Sequence, residues 1–238
     1  SGATDAGALR RQLDSLTALT AGHLSLAAEN RRLLALNGVS GRIGTGWIPA
    51  SVIRPGTAGS ESMFLLNVGS EDGVERYDPV IAGQGVVGVI LEVYPRTAMA
   101  MDWTHPDFTV SAVDPRGIVY GLVRPRRGDF READRLEFDG TAFQAQLEDG
   151  TPIVTSSASG VWPRGIPIGK VDGVAEADAG WRKSYWLRPM VEPASVTHAL
   201  VGIDPAEDLF GVWPPDSVQT DAELAVESIT REDSLRAL

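Results

Sequence analysis

Few residues in this 238-residue chain could perform chemistry, because it contains three histidines and no cysteine. Asp102 and His105 are separated by two residues, and a serine-rich run that includes Ser156 and Ser157 follows later in the chain. A serine nucleophile needs a base within hydrogen-bond reach and a third group that orients the base. Asp-x-x-His is not a nucleophile signature, however, and serines beside glycine are common in turns. The pattern therefore leaves two readings, a hydrolytic triad or an ordinary turn.

Metal and nucleotide sites are not predicted. The histidines are scattered at His23, His105 and His198, and without cysteine they do not make a usual zinc site. The acidic run at Glu71-Asp72 lacks the ligand spacing of a calcium loop. Residues 83–88 match G-x-G-x-x-G, but the run joins two predicted strands, whereas the nucleotide motif needs a strand followed by a helix. We therefore expect no cofactor.

The charge balance argues against nucleic acid as a partner. The formal net charge is −11, and phosphate binding depends on a basic face. A local basic cluster, Arg124, Arg126 and Arg127, follows a predicted strand and so is expected in a hairpin or loop. It is a candidate contact for an acidic partner, or alternatively a solvated loop. Trp162 is a second candidate contact, because aromatic side chains anchor interfaces, with burial in the core as the alternative.

Short β-branched runs between glycine-rich and proline-rich turns predict that the chain is mainly β. No long helical pattern interrupts them after residue 43, and twelve strands exceed what one small barrel usually holds. We therefore expect two small antiparallel barrel-like domains. The predicted strands are 47–54, 63–68, 79–82, 86–93, 98–103, 108–113, 118–122, 135–138, 152–155, 166–174, 185–190 and 198–203.

Residues 1–37 have the leucine-rich spacing of an amphipathic helix. In a heptad register, five of the eight a and d positions are leucine, and Asn30 occupies an a position, where a polar side chain favours two strands. The pattern predicts a homodimeric coiled coil that ends at Asn37-Gly38; the alternative is a helix packed on its own domain. The proposed interface is Leu9, Leu16, Leu19, Leu26, Asn30 and Leu33. Residues 214–238 are acidic and are expected to be mobile or partly helical.

One segment is more specific than composition. Residues 149–171 read DGTPIVTSSASGVWPRGIPIGKV, which resembles the signature of the rod-shape-determining MreC family, with departures at Thr151 and Ser157 in a turn. The segments ASVIR at 50–54, NVGSEDGV at 67–74 and PVIAGQGVVGVI at 79–90 resemble other family motifs in the same order. The leucine-rich helix, with Glu29-Asn30 and Leu33, resembles the family's coiled coil.

The resemblance implies a non-enzymatic scaffold for peptidoglycan elongation and cell shape, on the periplasmic face of the inner membrane. It implies a membrane anchor that precedes this chain, dimerisation through the helix, and binding to the elongation-specific transpeptidase and other morphogenesis proteins. It also implies that the second β-domain is inserted in the first. We expect a first domain at 43–107, with returning residues at about 185–213, and a second at 108–184. The alternative is a two-barrel serine hydrolase that uses Ser156 or Ser157 with His105 and Asp102. A third reading is a cell-wall glycan-binding module, which would need a solvent-facing aromatic platform.

Overall fold

A computed structural model describes residues 29, 32–33, 36–54, 56, 61–126, 135–142, 145–178 and 182–213. Within them the chain is mainly β, and it has three short 3-10 helices at Ser70–Asp72, Ser157–Ser159 and Pro193–Ser195. The strands are β1 (Trp47–Ile53), β2 (Met63–Leu66), β3 (Pro79–Ala82), β4 (Gly85–Val93), β5 (Ala98–Asp102), β6 (Val110–Val113), β7 (Tyr120–Arg126), β8 (Arg135–Ala142), β9 (Pro152–Thr155), β10 (Pro167–Asp178), β11 (Arg182–Pro189) and β12 (His198–Gly202).

These strands form two closed six-stranded barrels with antiparallel neighbours. The first has the order β1-β12-β3-β4-β5-β2, and the second has the order β10-β11-β8-β7-β6-β9. Each predicted strand overlaps one of the observed strands. The mainly β class and the two barrels are therefore confirmed.

The second barrel is inserted between β5 and β12 of the first. Its last strand, β11, pairs with β10 and with β8, so it ends the second barrel and does not return to the first. The expected boundary, at about residue 184, falls inside β11, which ends at Pro189. The return to the first barrel begins after Pro189, because β12 pairs with β1 and β3.

Burial explains why the strands adopt this arrangement. In the first barrel, the first six residues of β4 are buried. They are rich in β-branched side chains, as is typical of a strand that is covered on both sides. In the second barrel β7 alternates, with Val123 fully buried between the exposed Leu122 and Arg124. Large side chains fill both interiors, including Phe64 and Ile90 in the first, and Phe138 and Tyr185 in the second.

The end of the N-terminal helix lies against the first barrel. Residues 29, 32–33 and 36–40 are helical, so the helix continues past the predicted stop at Asn37-Gly38. Leu36, Val39 and Ile43 are buried there, and this packing outweighs the low helix propensity of Gly38. None of the described helical residues forms part of a helix long and apolar enough to cross a membrane. The heptad residues Leu9, Leu16, Leu19, Leu26 and Asn30, and the acidic tail, lie outside the described residues.

Candidate functional site

The candidate hydrolytic residues do not form a catalytic arrangement. Asp102 is buried at the end of β5, where its carboxylate accepts hydrogen bonds from Arg54 Nη1 at 3.1 Å and Thr104 Oγ1 at 2.6 Å. His105 Nδ1 accepts a hydrogen bond from the backbone N–H of Asp107 at 3.2 Å. Within the part of the chain that the structure describes, no hydrogen bond joins His105 to the Asp102 carboxylate, Ser156 or Ser157. The serine hydrolase reading is therefore not favoured.

The two serines instead belong to a turn that covers the second barrel. Ser156 is buried and its backbone carbonyl accepts a hydrogen bond from Ser111 Oγ on β6 at 3.2 Å. Ser111 Oγ also lies 3.1 Å from Ser159 Oγ, so Ser111 links β6 to the 3-10 helix Ser157–Ser159. The contacts of this serine-rich turn are therefore with β6 and not with His105.

The glycine-rich run at 83–88 forms the hairpin between β3 and β4, as predicted. Gly85 and Gly88 lie where a side chain would overlap the carbonyl oxygens of Pro167 and Met101, respectively. Their role is therefore close backbone approach. Among the described residues, no cluster of histidine, aspartate or glutamate could hold a metal ion.

Arg124 and Arg126 of the basic cluster lie on β7, which pairs with the next strand, β8, so of the two expected settings they lie in a hairpin. β7 continues to Arg126, and alternate residues place Arg124 and Arg126 on the outer face of the second barrel. Arg126 Nε donates to Glu137 Oε2 at 2.5 Å, and this hydrogen bond and charge raise the pKa of Arg126. Arg124 has neither an ion pair nor a side-chain hydrogen bond to any described residue. Arg127 lies outside the described residues.

An exposed apolar stripe adjoins Arg124, and the sequence reasoning did not identify it. Tyr120 and Leu122 are 53% and 38% exposed and share one face of β7 as alternate residues, and Ile118, which is 68% exposed, lies in the turn just before β7. The alternation of Tyr120, Leu122 and Arg124 with the less exposed Gly121 and Val123 could have indicated this face. Isolated exposed apolar residues are normal, but a row of three beside a cation fits a protein contact.

Trp162 is not exposed, which corrects its use as a surface contact. Its side chain is only 4% exposed and lies in a wall of a cleft between the barrels. The cleft has a volume of about 630 Å³. Its lining residues are Arg76, Tyr77, Asp78, Pro79, Ser157, Gly160, Val161, Trp162, Pro163, Gly202, Pro205 and Glu207.

A segment that follows β12 fastens the two barrels together. We call residues 204–213 the strap. Its residue Leu209 donates a backbone hydrogen bond to Arg164 of the second barrel at 2.7 Å, and Arg164 donates to the Glu207 carbonyl at 2.9 Å. Trp213 Nε1 then donates to the Gly83 carbonyl of the first barrel at 2.9 Å. The strap therefore contacts both barrels.

The helix end also has polar contacts with the first barrel. Glu29 Oε1 lies 3.1 Å from His198 Nδ1 and 2.9 Å from Thr197 Oγ1, which donates to it. Leu33, a predicted seam residue, is 37% exposed, while Leu36 and Val39 are buried. At the helix end, Leu33 is therefore less covered than Leu36 and Val39.

Comparison with known proteins identifies the family. A family model described as "Rod shape-determining protein MreC, barrel core" matches residues 52–202. The cell shape-determining protein MreC of Haemophilus influenzae is 28% identical over 165 residues, which cover 69% of this chain and 46% of that protein. MreC of Listeria monocytogenes is 24% identical over 198 residues, which cover 81% of this chain and 66% of that protein. The chain thus spans about half to two thirds of these relatives' length.

Solved structures share the fold. One described as MreC has a TM-score of 0.65 at 20% identity and covers 75% of this chain and 99% of its own. Another is a complex between penicillin-binding protein PBP2 and MreC from Helicobacter pylori, with a TM-score of 0.52 at 16% identity. The match covers 66% of this chain and 99% of the matched chain. The sequence motifs, the two barrels and the family match agree, and the chain belongs to the MreC family of rod shape-determining proteins.

Proposed function

We propose that this chain is a non-enzymatic scaffold for cell-wall elongation and cell shape on the extracytoplasmic face of the inner membrane. The match of residues 52–202 to the barrel core of the MreC family is the observation that carries this proposal. The closed barrels support it, because their strands are paired with neighbours on both sides and can present side chains on rigid outer faces. The candidate base His105 and the candidate serines, by contrast, lie in separate hydrogen-bonded turns.

The partner that we propose is a penicillin-binding protein, the class of protein present in the Helicobacter pylori complex. The surface that we propose for it, the β7 face, consists of Ile118, Tyr120, Leu122 and Arg124. Three exposed apolar side chains can be desolvated on binding, and Arg124 has its guanidinium donors available for an acidic group. Arg126 lies on the same strand, but its Nε donates to Glu137.

Binding of the purified elongation-specific penicillin-binding protein of the same organism tests this surface. We expect Tyr120→Ala and Arg124→Glu each to weaken the affinity by about tenfold or more, as residues at the centre of an interface do. The exposed Tyr94 on the first barrel provides the matched control, and Tyr94→Ala should leave the affinity within about twofold. Unchanged affinity in both β7-face variants would exclude this surface. If the parent chain does not bind, the proposal that a penicillin-binding protein is the partner is overturned.

We further propose that the chain dimerises through its N-terminal helix. The exposure of Leu33 supports this arrangement, since among the described residues of the helix end this predicted seam leucine is 37% exposed, while Leu36 and Val39 are buried. Sedimentation equilibrium should give a dimer for the parent chain and a monomer for the Leu19→Ala/Leu26→Ala double variant, because both substitutions remove predicted d-position packing. A parent chain that is monomeric at tens of micromolar, or a double variant that stays dimeric, would contradict a leucine seam.

A further inference from the structure

Arg76 lies where two concavities on the surface of the molecule meet. On one side it lines the inter-barrel cleft, and on the other it lines a concavity of about 560 Å³ beside the end of β4. The second concavity is completed by residues 91–94. The linings of the two concavities share Arg76, and we call the two together the Arg76 groove.

Exposed tyrosine rings border each part of the Arg76 groove. Tyr77 is 48% exposed in the cleft, and Tyr94 is 47% exposed in the other concavity. The backbone N–H of Tyr77 donates to the carbonyl of Ile90 at 2.9 Å, and Tyr94 follows four residues after Ile90. At about 3.3 Å per residue, the two positions are separated by about 13 Å along β4. The two tyrosines are therefore spaced along the groove.

Tyr77 is held in a backbone conformation that an aromatic residue rarely adopts. Its φ is +75°, and among the described residues Tyr77 is the only residue other than glycine that has a positive φ. Such a conformation costs about 1–3 kcal/mol and persists where the surroundings enforce it, often at binding sites. Here the strain maintains a ring at the surface, where it gains little from burial. This combination indicates a role for the ring other than packing.

Polar groups accompany the rings. The Arg76 guanidinium lies over the Tyr77 ring, 4.6 Å from its centroid, and has no ion pair with any described residue. The Tyr94 hydroxyl donates to Glu92 Oε2 at 2.6 Å, which leaves the second carboxylate oxygen of Glu92 without a described partner. Asp78 and Glu207 add carboxylates at the cleft end, and burial raises the pKa of Asp78. The groove thus presents donors and acceptors beside flat apolar rings.

We propose that the Arg76 groove binds an extended glycan built of N-acetylated amino sugars. A pyranose ring has an apolar face that can pack on Tyr77 or Tyr94, and its edge carries hydroxyl and acetamido groups. The carboxylates accept hydrogen bonds from hydroxyl or amide N–H groups, and Arg76 donates to an acetamido oxygen. Strand addition by a peptide is disfavoured, because β4 is already paired with β3 and β5 in a closed barrel.

The proposal goes beyond the scaffold function and uses a different face from the β7 face. The probe is a soluble β-1,4-linked hexamer of N-acetylglucosamine, titrated into the whole chain by NMR or calorimetry, with the glucose hexamer as the comparison. We expect saturable binding of the acetylated hexamer, with binding of the glucose hexamer about tenfold weaker, since it lacks the acetamido groups.

The decisive variant is Tyr77→Gly, because glycine adopts a φ of +75° without strain and the variant should remain folded. We expect it to weaken glycan binding about tenfold, and Arg76→Gln to weaken it in the same direction. Tyr120→Ala removes an equally exposed tyrosine from the second barrel and should leave glycan binding within about twofold. No binding of the acetylated hexamer, equal binding of both hexamers, or unchanged binding by Tyr77→Gly would overturn the proposal. Because the β7-face variants report partner binding separately, failure of either proposal is distinguishable from failure of the other.

Discussion

Gly85 on the first barrel faces the carbonyl oxygen of Pro167 on the second so closely that a Cβ atom at Gly85 would overlap it. Gly85 belongs to the glycine-rich hairpin, and Pro167 begins β10 within the segment most typical of the family. The absence of a side chain at Gly85 therefore allows the two barrels to meet backbone against backbone.

We expect Gly85→Ala to lower the free energy of unfolding by about 2–4 kcal/mol, because it adds both a clash and a strained backbone. Urea denaturation measures this change. Gly140→Ala is the control, since Gly140 has a φ of +83° but open space at its Cβ position, and it should cost about 1 kcal/mol. Equal effects in the two variants would show that the contact with Pro167 tolerates a side chain.

Arg126 and Arg124 should contribute differently to the free energy of unfolding, although they lie two residues apart on one strand. Arg126→Ala removes the hydrogen bond to Glu137, whose side chain is 9% exposed, and should cost about 1–2 kcal/mol after allowance for the half-exposed guanidinium. Arg124→Ala should change stability by less than about 0.5 kcal/mol. Urea denaturation of both variants at low and high salt measures the difference. A stability loss in Arg124→Ala as large as that in Arg126→Ala would contradict the assignment of Arg124 as free for a partner.

The turn before β7 should make stability depend on acid pH through Asp114. Its buried carboxylate accepts hydrogen bonds from the backbone N–H groups of Ile118 at 2.7 Å and Val119 at 2.8 Å, and from Arg116 Nε at 3.0 Å. Burial alone would raise the pKa of Asp114, but these donors together hold it below its ordinary value of 3.8. The ionised carboxylate therefore stabilises the fold above that value, and this contribution is lost as pH falls through the lower folded-state pKa.

Asp114→Asn should accordingly be about 1–2 kcal/mol less stable than the parent at pH 7. The difference in stability between the parent and Asp114→Asn should become smaller below about pH 4, as the carboxylate of Asp114 in the parent becomes protonated. Thermal denaturation between pH 2 and 7, with buffers of about equal ionic strength, measures both effects. The exposed Asp149→Asn variant should follow the parent at every pH. A pH-independent gap for Asp114→Asn would show that the charge does not contribute.

The strap should hold the barrels together through Leu209 and not through its neighbour Phe210. Leu209 is 4% exposed and Phe210 is 45% exposed. We expect Leu209→Ala to cost about 2–3 kcal/mol and to speed hydrogen exchange at the N–H groups of Arg164 and Leu209. Phe210→Ala removes only the contact between its exposed ring and the Arg164 guanidinium, 5.0 Å from the ring centroid, and should speed that exchange much less. Hydrogen exchange followed by mass spectrometry measures both, and the reverse order of effects would contradict this role.

At the helix end, burial should matter more than the ion pair. Val39 is 1% exposed, and Val39→Ala should lower the free energy of unfolding by about 1.5–2.5 kcal/mol because it removes two buried methyl groups. Glu29→Gln, which weakens a partly exposed contact to His198, should cost less than about 0.5 kcal/mol. Calorimetric unfolding of the two variants provides the measurement. A larger loss in Glu29→Gln would mean that polar contacts hold the helix to the barrel.

The amino-acid sequence determined the local structure and the family. β-branched runs between turn residues identified the strands, because period-2 burial and turn chemistry act over a few residues. The motif at 149–171, rich in turn formers, identified the MreC family without any catalytic group.

Tertiary structure decided what lies next to what. Only strand pairing assigned β11 to the second barrel, and only packing buried Trp162 while it left Tyr77 exposed. It separated His105 from the serines by giving each its own hydrogen-bonded turn. It also joined Gly85 to Pro167, 82 positions apart in the sequence. These outcomes depend on contacts between segments that are far apart in the sequence. Such contacts form only when the barrels close, so no local pattern of residues predicts them.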